Sequence, residues 1–415
     1  MTKLRELPEM PMLGQPYFSD KKWVSPVNFE VATPEMSKSI YIHDVTLRDG
    51  EQTCGLNWTE QERIDIALVL NDLGVKRIEI GMPVVSEDII RATKKLMEMD
   101  LRADIVTFAR ARKEDIDLSV ECGVKHIVVE HAVNPYTCYY AYDVDTERLI
   151  KRLVDHIKYA KDCGLKTTFM GWDVTRASLD YVKKVYAAVV EQAEPEAVVY
   201  TDSFGVASPL AIYKAISELK KELGVPVEFH VHNEFGMAMG SVLAAVYAGV
   251  DGIHSSINGL GERTGNVATE EVAAALEILL NVPTGVDISK IDKITKLVEG
   301  ITGITIPPNK PVTGKRLFWL ESGVVVHAKE KLERSGIPSA MTPYLPDLVG
   351  REPIQIVLGG SSGKASVQYY LDQLGVEVSE EQLDTLVERI KDKGREKRDV
   401  LTKEEFDAIL KGVLA

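Results

Sequence analysis

The chain has 415 residues, 45% of them hydrophobic, which is enough for one large domain with an appendage. Lys and Arg number 49 against 63 Asp and Glu, so the formal net charge is −14. Nucleic acids and anionic membranes select positive surfaces, so this balance argues against either as a partner. A negative net charge does not exclude a local basic pocket that binds an anionic cofactor.

The N-terminal segment and the cysteines together predict the compartment. Residues 1–38 carry five prolines, and the segment has Pro and charge where a signal peptide has an apolar run. We interpret it as an extended arm that covers the surface or a partner subunit. No stretch approaches the ~20 apolar residues that cross a bilayer. The four cysteines lack CxxC spacing, as is typical of reduced thiols. We therefore predict a cytoplasmic protein, and the arm suggests a homodimer.

Residues 39–300 alternate between short β-rich runs and longer segments with helical spacing. The predicted strands are IYIHDV, RIEIGM, ADIVTF, HIVVEH, KTTFMG, AVVYTD, VEFHVH and GIHSSI. Eight strands with eight crossovers favour a closed parallel (β/α)8 TIM barrel. An open doubly wound sheet is the alternative, but no glycine-rich dinucleotide fingerprint follows the first strand.

The pattern changes beyond residue 300. Residues 301–352 contain a proline-rich stretch without a clean period, and they predict a linker or lid subdomain in which Leu317–Arg334 is helical. Residues 353–415 predict a small helical C-terminal domain. Ser379 and Thr402 are each followed three residues later by Gln or Glu, the pattern of a capping box at a helix start.

Polar residues cluster where the first, seventh and eighth strands end, which is the catalytic end of such a barrel. His230 and His232 are two apart on a strand, so both imidazoles point to one face. With a carboxylate after strand one and the amide of Asn266, they would suit a divalent ion such as Mn, Mg or Zn. Two hydrogen-bonded histidines are the alternative. Spacing alone does not choose between Asp44 and Asp49 as the carboxylate.

Two arginines at this end admit two interpretations each. Arg48 is either a partner in a surface salt bridge or the group that holds an oxyanion with its planar fork. The loop Gly-Leu-Gly261-Glu-Arg263-Thr-Gly-Asn is either a polar turn or a close contact for a phosphorylated cofactor.

At these residues the sequence resembles the alkylmalate synthase family, which includes 2-isopropylmalate, homocitrate and citramalate synthases and shares its barrel with hydroxymethylglutaryl-CoA lyase. The resemblance rests on TLRDGEQ, IEIGMP, YTDSFGVASP, HVHNEFGMAMGSVLAAVYAGVD and NGLGERTGNVATEE, in that order. It extends into the C-terminal segment through GSSGKASVQYYLDQLG and VSEEQLDTLVERIKDK.

The resemblance implies an acyltransferase in which acetyl-CoA loses a methyl proton, attacks the ketone of a 2-oxo acid and is hydrolysed to release CoA. It implies metal ligands at Asp49, His230, His232 and Asn266, and charge stabilisation by Arg48. It further implies substrate contacts at Gln52 and Ser203. His327 is the expected acceptor of the acetyl proton, although two extra residues separate it from Gly323 compared with the family motif.

The fifth strand departs from the family. The expected Phe-Ser-x-Glu-Asp reads Phe169-Met170-Gly-Trp172-Asp here, and Met82 stands where homocitrate synthases have a histidine. An apolar wall of Met82, Met170 and Trp172 would leave a second carboxylate of the acceptor unpaired. We therefore expect an acceptor without a distal carboxylate, or one bound by residues that the sequence does not identify. Ordinary core packing is the alternative for these three side chains.

Three rival functions remain open. A hydroxyacyl-CoA lyase would share these motifs but carries a reactive cysteine in the glycine loop, which this chain lacks. A biotin-dependent carboxyltransferase needs a strand lysine that has no clear counterpart here. A metal-bound barrel retained as a binding protein is the third alternative.

Overall fold

Eight runs rich in Val, Ile and aromatic residues form parallel strands, because β-branched and aromatic side chains pack well on a pleated surface. In this computed structural model, which describes residues 4–415, the strands close into a barrel in sequence order, and the first pairs with both the second and the eighth. The predicted (β/α)8 barrel is confirmed. The strands are β1 (Tyr41–Asp44), β2 (Arg77–Gly81), β3 (Asp104–Arg110), β4 (His126–Ala132), β5 (Lys166–Trp172), β6 (Ala197–Asp202), β7 (Val227–Val231) and β8 (Gly252–Ser255).

Helices connect the strands, and local signals set their ends. At the start of the second helix, the Thr59 hydroxyl accepts from the backbone N–H of Glu62, and the Glu62 carboxylate accepts from the backbone N–H of Thr59. The helix ends at Gly74, which has a φ of 101°. After a short α1 (Val27–Glu30), the helices are α2 (Glu60–Leu73), α3 (Glu87–Met97), α4 (Lys113–Glu121), α5 (Pro135–Tyr142), α6 (Thr146–Asp162), α7 (Leu179–Ala193), α8 (Pro209–Leu223), α9 (Ala238–Tyr247), α10 (Thr269–Leu279) and α11 (Ile291–Thr302).

Residues 30–306 form one compact unit, which contains the barrel, and residues 4–29 with 307–415 form another. The second unit contains β9 (Trp319–Leu320), α12 (Gly323–Arg334), β10 (Gln355–Ile356), α13 (Lys364–Leu374), α14 (Glu380–Lys397) and α15 (Lys403–Leu414). Within it, Lys22 of the N-terminal segment forms a β-bridge with Tyr344. The four-segment division predicted from the sequence stays a prediction.

The predicted helix Leu317–Arg334 begins later, at Gly323, because Trp319 and Leu320 pair in parallel with Gln355 and Ile356. Both predicted capping boxes, at Ser379 and Thr402, are confirmed as the starts of α14 and α15. The core of this unit is apolar and consists of Leu358, Val367, Leu371, Leu386, Ile390, Phe406 and Leu410.

Within residues 4–415, no helix combines the length and apolarity that crossing a bilayer requires. The barrel interior is apolar on one side, where Val106, Phe108, Val128, Met170 and Val199 pack together. The opposite side of the interior carries the charged side chains described next.

Candidate active site

Three side chains converge at the ends of β1 and β7, and we call Asp49, His230 and His232 the metal triad. The Nε2 atoms of the two histidines lie 3.3 Å apart. Asp49 Oδ2 lies 3.3 Å from His230 Nε2 and 3.7 Å from His232 Nε2. All three residues are buried. The strand alternation that predicted a shared face for the two imidazoles therefore describes their actual arrangement.

The structure also separates Asp49 from Asp44, which spacing could not do. Asp44 Oδ1 accepts from the Thr46 backbone N–H at 2.9 Å, and its Oδ2 accepts from the Thr269 hydroxyl at 2.9 Å. Asp44 therefore joins β1 to the start of α10. Burial raises the pKa of Asp44 to about 6, which fits a structural carboxyl rather than a ligand of a cation.

Unsatisfied atoms around the metal triad fit a cation. Asp49 Oδ1 and Asn266 Oδ1 are buried and have no hydrogen-bond partner within residues 4–415. Asn266 Nδ2 donates to the Leu260 carbonyl at 2.9 Å, which fixes the orientation of the amide. Gly261, at φ 150°, has no side chain that would crowd Asp49 Oδ1, because an added Cβ would lie 3.1 Å from that atom. Oxygen and imidazole donors of this kind suit Mn, Mg or Zn.

Protonation states favour the same interpretation. Burial would raise the pKa of Asp49, but the Arg48 guanidinium and His230 hold it well below its usual range. Burial lowers the pKa of His232 to about 3. Near neutral pH the triad therefore offers a carboxylate and a neutral His232 imidazole, the forms that bind a cation.

Arg48 is held from three sides. Its Nε donates to Glu79, and its Nη1 donates to Asp49 Oδ2 at 3.1 Å and to Gln52 Oε1 at 3.4 Å. The guanidinium carbon lies 4.4 Å from the ring centroid of Phe108. Nη2 is buried and has no hydrogen-bond partner within the described part of the chain. Arg48 is thus a positioned cation with donor capacity to spare, rather than a partner in a surface salt bridge.

The predicted apolar wall is partly assembled by the barrel. Met170 is buried against Phe108, and the half-buried Met82 packs on the same group. Trp172 lies half-buried beyond Met170 on β5, with its ring edge-on to Phe204 at 5.7 Å between centroids. The structure shows packing for these side chains, and their predicted contact with substrate stays a prediction.

Two further predicted residues lie at the mouth. The Ser203 hydroxyl accepts from the Asp173 backbone N–H at 2.8 Å. Arg263, at φ 59°, donates through its three nitrogens to Glu234, to Glu262 and to the Ser203 carbonyl. Because each nitrogen of Arg263 has a partner, its contacts stabilise the loop, and the predicted contact with a cofactor stays a prediction.

His327 lies on α12 in the unit of residues 4–29 and 307–415, and its side chain is exposed next to the buried Val326. Its proposed role as proton acceptor also stays a prediction. The structure thus brings together Arg48, Asp49, Gln52, His230, His232 and Asn266.

Sequence reasoning missed a second cluster inside the barrel, and we call His43, Glu79 and His254 the inner triad. His43 Nε2 lies 3.0 Å from Glu79 Oε2, and the rings of His43 and His254 stack at 4.1 Å. His254 Nε2 shares a hydrogen bond with Glu228 Oε2 at 2.6 Å. Arg77 forms an ion pair with Glu228. The signal was present, because charged residues occupied interior positions of apolar strand runs.

Comparison with known proteins places this site in a family. The HMGL-like family model matches residues 39–298, which include the barrel and every member of both triads. A model described as homocitrate synthase post-HMGL domain-like matches residues 312–398. The two models therefore match most of both structural units.

Relatives match along most of the chain. The 2-isopropylmalate synthase of Methanocaldococcus jannaschii is 40% identical over 384 residues, which cover 90% of this chain and 72% of that protein. The homocitrate synthase AksA of Methanothermobacter thermautotrophicus is 35% identical over 391 residues, which cover 94% of this chain and 98% of that protein.

Solved structures share the fold. The HMG-CoA lyase of Bacillus subtilis superposes with a TM-score of 0.60 at 20% identity, over 66% of this chain and 96% of that one. The carboxyl transferase domain of Rhizobium etli pyruvate carboxylase superposes with a TM-score of 0.54 at 19% identity, over 65% of this chain and 48% of that one. The HMGL-like family model matches residues 39–298, and the two relatives match nine-tenths of the chain. The protein therefore belongs to the HMGL-like family.

Proposed function

We propose that this protein condenses acetyl-CoA with a 2-oxo acid, giving a 2-alkylmalate-type hydroxy diacid and free CoA. The observation that carries the proposal is the convergence of the metal triad with the unsatisfied amide oxygen of Asn266, directly beside the positioned guanidinium of Arg48. The relatives named 2-isopropylmalate and homocitrate synthase support the same reaction class.

The metal triad and Asn266 would hold a divalent cation, Mn, Mg or Zn. When bound, such an ion acts as a Lewis acid on a carbonyl oxygen. Asp49 and His232 have the protonation states that binding requires, and Asn266 is oriented by Leu260.

Arg48 stabilises the negative charge that develops during the condensation. Glu79 and the face of Phe108 hold its guanidinium in place, so little reorganisation is needed when charge appears. Burial would lower the pKa of Arg48, but Glu79 and Asp49 raise it above its ordinary value, so the group stays charged. Gln52 and Ser203 contact the substrate in this proposal, and Gly261 and Arg263 contact the cofactor.

The acceptor carries an apolar segment next to its 2-oxo group. Met82, Met170 and Trp172 form the apolar wall in this proposal, and Met82 and Met170 pack in one apolar cluster with Phe108. Burying an unpaired polar group against such a wall is costly. Calorimetry with a series of 2-oxo acids tests this point. Tighter binding of 2-oxoglutarate than of branched aliphatic 2-oxo acids would mean that the apolar wall does not set acceptor preference.

The condensation itself is tested by incubating the protein with acetyl-CoA, Mn or Mg and a panel of 2-oxo acids. We expect a free thiol to appear with at least one acceptor, and a product of the summed mass by mass spectrometry. Cleavage of hydroxyacyl-CoA esters without condensation would favour the lyase. However, residues 259–266 contain no cysteine of the kind that the lyases use. Absence of product in both assays would favour a binding protein without catalytic activity.

Three further points belong to this proposal. His327 is the acceptor of the acetyl proton, on the strength of the resemblance alone. Substitution of His327 by Gln is expected to lower kcat at least about 100-fold with little change in KM, because a proton acceptor acts in the chemical step and not in substrate binding; steady-state kinetics measure both. We also propose a cytoplasmic homodimer, based on the cysteine pattern and the proline-rich N-terminal segment, and light scattering on the purified protein tests the stoichiometry.

A further inference from the structure

A cavity of about 440 Å³ opens where β3 and β4 end, on the same face of the barrel as the metal triad. Its charged lining consists of Arg110, Arg112, Lys113, Arg152, Glu114 and Glu130. Cations outnumber carboxylates two to one here, whereas acidic residues outnumber basic ones in the whole chain. A local reversal of sign in an acidic protein concentrates anions at that place.

Two of these cations are anchored by buried neighbours. Arg110 Nε and Nη2 donate to the two carboxylate oxygens of Asp115 at 2.8 and 2.9 Å, and Asp115 is buried. This bidentate pair leaves Nη1 of Arg110 for another partner. Arg152 Nη1 lies 3.2 Å from Nε2 of the buried His131. Both side chains are therefore fixed at the wall of the cavity.

His131 is built to orient Arg152. Its Nδ1 donates to the Ala132 carbonyl at 2.9 Å, so its Nε2 carries the lone pair that accepts from the guanidinium. Burial lowers the pKa of His131, which keeps the ring neutral and preserves that lone pair. A neutral histidine here positions a cation without adding repulsion.

Arg112 has the most freedom to bind. Its exposed side chain has no hydrogen-bond or ion-pair partner within residues 4–415, and it occupies the N-cap position of α4 without capping it. Glu114 and Asp115 lie in the first turn of α4 and offset the partial positive charge of that helix end. The donors available to an anion are therefore the side chains, and Arg112 is the least engaged of them.

The cavity continues the predicted acceptor wall. Arg110 and Glu130 are partners in the register of β3 and β4, two residues beyond the Phe108–Val128 pair, which packs in one cluster with Met170 of that wall. Burial raises the pKa of Glu130 to about 7, so its carboxyl is readily protonated and then donates a hydrogen bond instead of repelling an anion.

We propose that this cavity binds a terminal anionic group of one substrate of the condensation. Two groups have that chemistry, the 3′-phosphate of CoA and the second carboxylate of a dicarboxylic 2-oxo acid. The inference rests on the proposed function only for the identity of the substrate. Arg112 and Arg152 are the specificity-determining residues, and each makes a charge-assisted hydrogen bond to the anion.

The first experiment compares Arg112→Gln and Arg152→Gln with Arg148→Gln as the matched control. Arg148 is an exposed arginine on the same helix as Arg152, pairs with Asp145 and does not line the cavity. We expect each cavity variant to weaken binding of one substrate about 10-fold by calorimetry, since hydrogen bonds to charged groups have that strength, and the control to match wild type. Arg112 and Arg148 are exposed and their substitution should leave thermal unfolding unchanged, whereas Arg152→Gln leaves Nε2 of the buried His131 without its donor and should lower the unfolding temperature slightly.

The second experiment separates the two sources of the anion. Acetyl-3′-dephospho-CoA is compared with acetyl-CoA, and 2-oxohexanoate with 2-oxoadipate, which has the same length and a second carboxylate. If the phosphate is bound, wild type binds the dephospho compound up to about 100-fold more weakly, because both arginines lose their partner, and the variants lose nothing further on it. If the carboxylate is bound, wild type prefers 2-oxoadipate and the variants erase that preference.

Either pattern upholds the cavity as an anion site. Variants that match Arg148→Gln with all four compounds would overturn it. Because calorimetry needs no turnover, a protein that binds CoA through Arg112 yet never condenses it would contradict the proposed function and leave the cavity intact. Condensation by variants with unchanged affinities would contradict the cavity alone.

Discussion

The metal triad and the inner triad are both buried sets of imidazole and carboxylate, and each has three ligand atoms within 4.8 Å of one another. They differ in how their charges are satisfied. In the inner triad Glu79 is engaged by Arg48, and His254 hydrogen-bonds Glu228, which in turn pairs with Arg77. A cation there would compete with two arginines that already neutralise the carboxylates.

In the metal triad Arg48 also pairs with Asp49, but only through Oδ2. Asp49 Oδ1 has no hydrogen-bond partner among residues 4–415, and Asn266 offers a second buried oxygen. The comparison shows that residue types and spacing do not define a cation site. What differs is whether both carboxylate oxygens are engaged: Glu79 pairs with Arg48 and with His43, whereas Asp49 Oδ1 is left for a cation.

The largest effect is expected from Asp49→Asn, which removes the charged ligand. We expect turnover to fall by more than about 1000-fold, because a Lewis-acid cation supplies several kcal/mol. Calorimetric titration of metal-free protein with Mn should give one ion per chain in wild type and none in the variant. His43→Gln is the matched control and should keep one ion. A second ion that disappears in His43→Gln would show that the inner triad also binds metal.

Glu228→Gln should instead act on stability. It leaves Arg77, whose side chain is only 12% exposed, without its partner, and breaking a largely buried ion pair from one side costs up to about 3 kcal/mol. Urea unfolding followed by circular dichroism should show a lower midpoint than wild type, whereas metal-free Asp49→Asn should shift it less. Equal shifts in the two variants would remove the distinction between the triads.

Acidification should lower the free energy of unfolding, and His254, one of the two stacked histidines, should contribute to that loss. Burial, together with the charge of His43, lowers the pKa of His254 to about 3, against about 6.5 in the unfolded chain. Between these values the unfolded state binds the extra proton, so stability is lost as pH falls through 6.5. His254 should account for about 2 kcal/mol of the loss between pH 7 and pH 5, measured by urea unfolding, and His126 and His232, whose pKa values burial also lowers to about 3, add to the total. His254→Gln should reduce this dependence, and an unchanged slope would contradict the assignment.

His43 should behave in the opposite sense. Burial would lower its pKa, but Glu228 and Glu79 raise it above the ordinary value, so the stacked pair holds a proton on His43 and excludes one from His254. The stability that His43 contributes is fully present below pH 6.5 and is lost as pH rises through its higher folded pKa.

The smallest effect is expected from Asn266→Ala. The neutral amide supplies one oxygen, and its loss should weaken Mn binding about 10-fold, at the low end of the effects seen around metal sites. Titration of the metal-free variant measures this change. A variant that binds Mn as tightly as wild type would restrict the cation's ligands to the metal triad.

Much of this protein could be predicted from local pattern. The short β-rich runs predicted the strands, and their number predicted the barrel. Within a strand, side chains alternate between the two faces. The same alternation placed His230 and His232 on one face. The capping boxes at Ser379 and Thr402 marked two helix starts correctly, because a cap is a contact between residues three apart.

The contacts that only the tertiary structure determines join residues that are distant in sequence. Closure of the barrel brings Asp49 to the histidines of β7 and leaves Asp44 bonded to Thr269, a choice that spacing left open. The same closure assembles the inner triad from β1, β2 and β8, and places Arg152 of α6 beside His131 of β4. Periodicity reports which way a side chain points on its own strand, but only the register between strands determines which side chains meet.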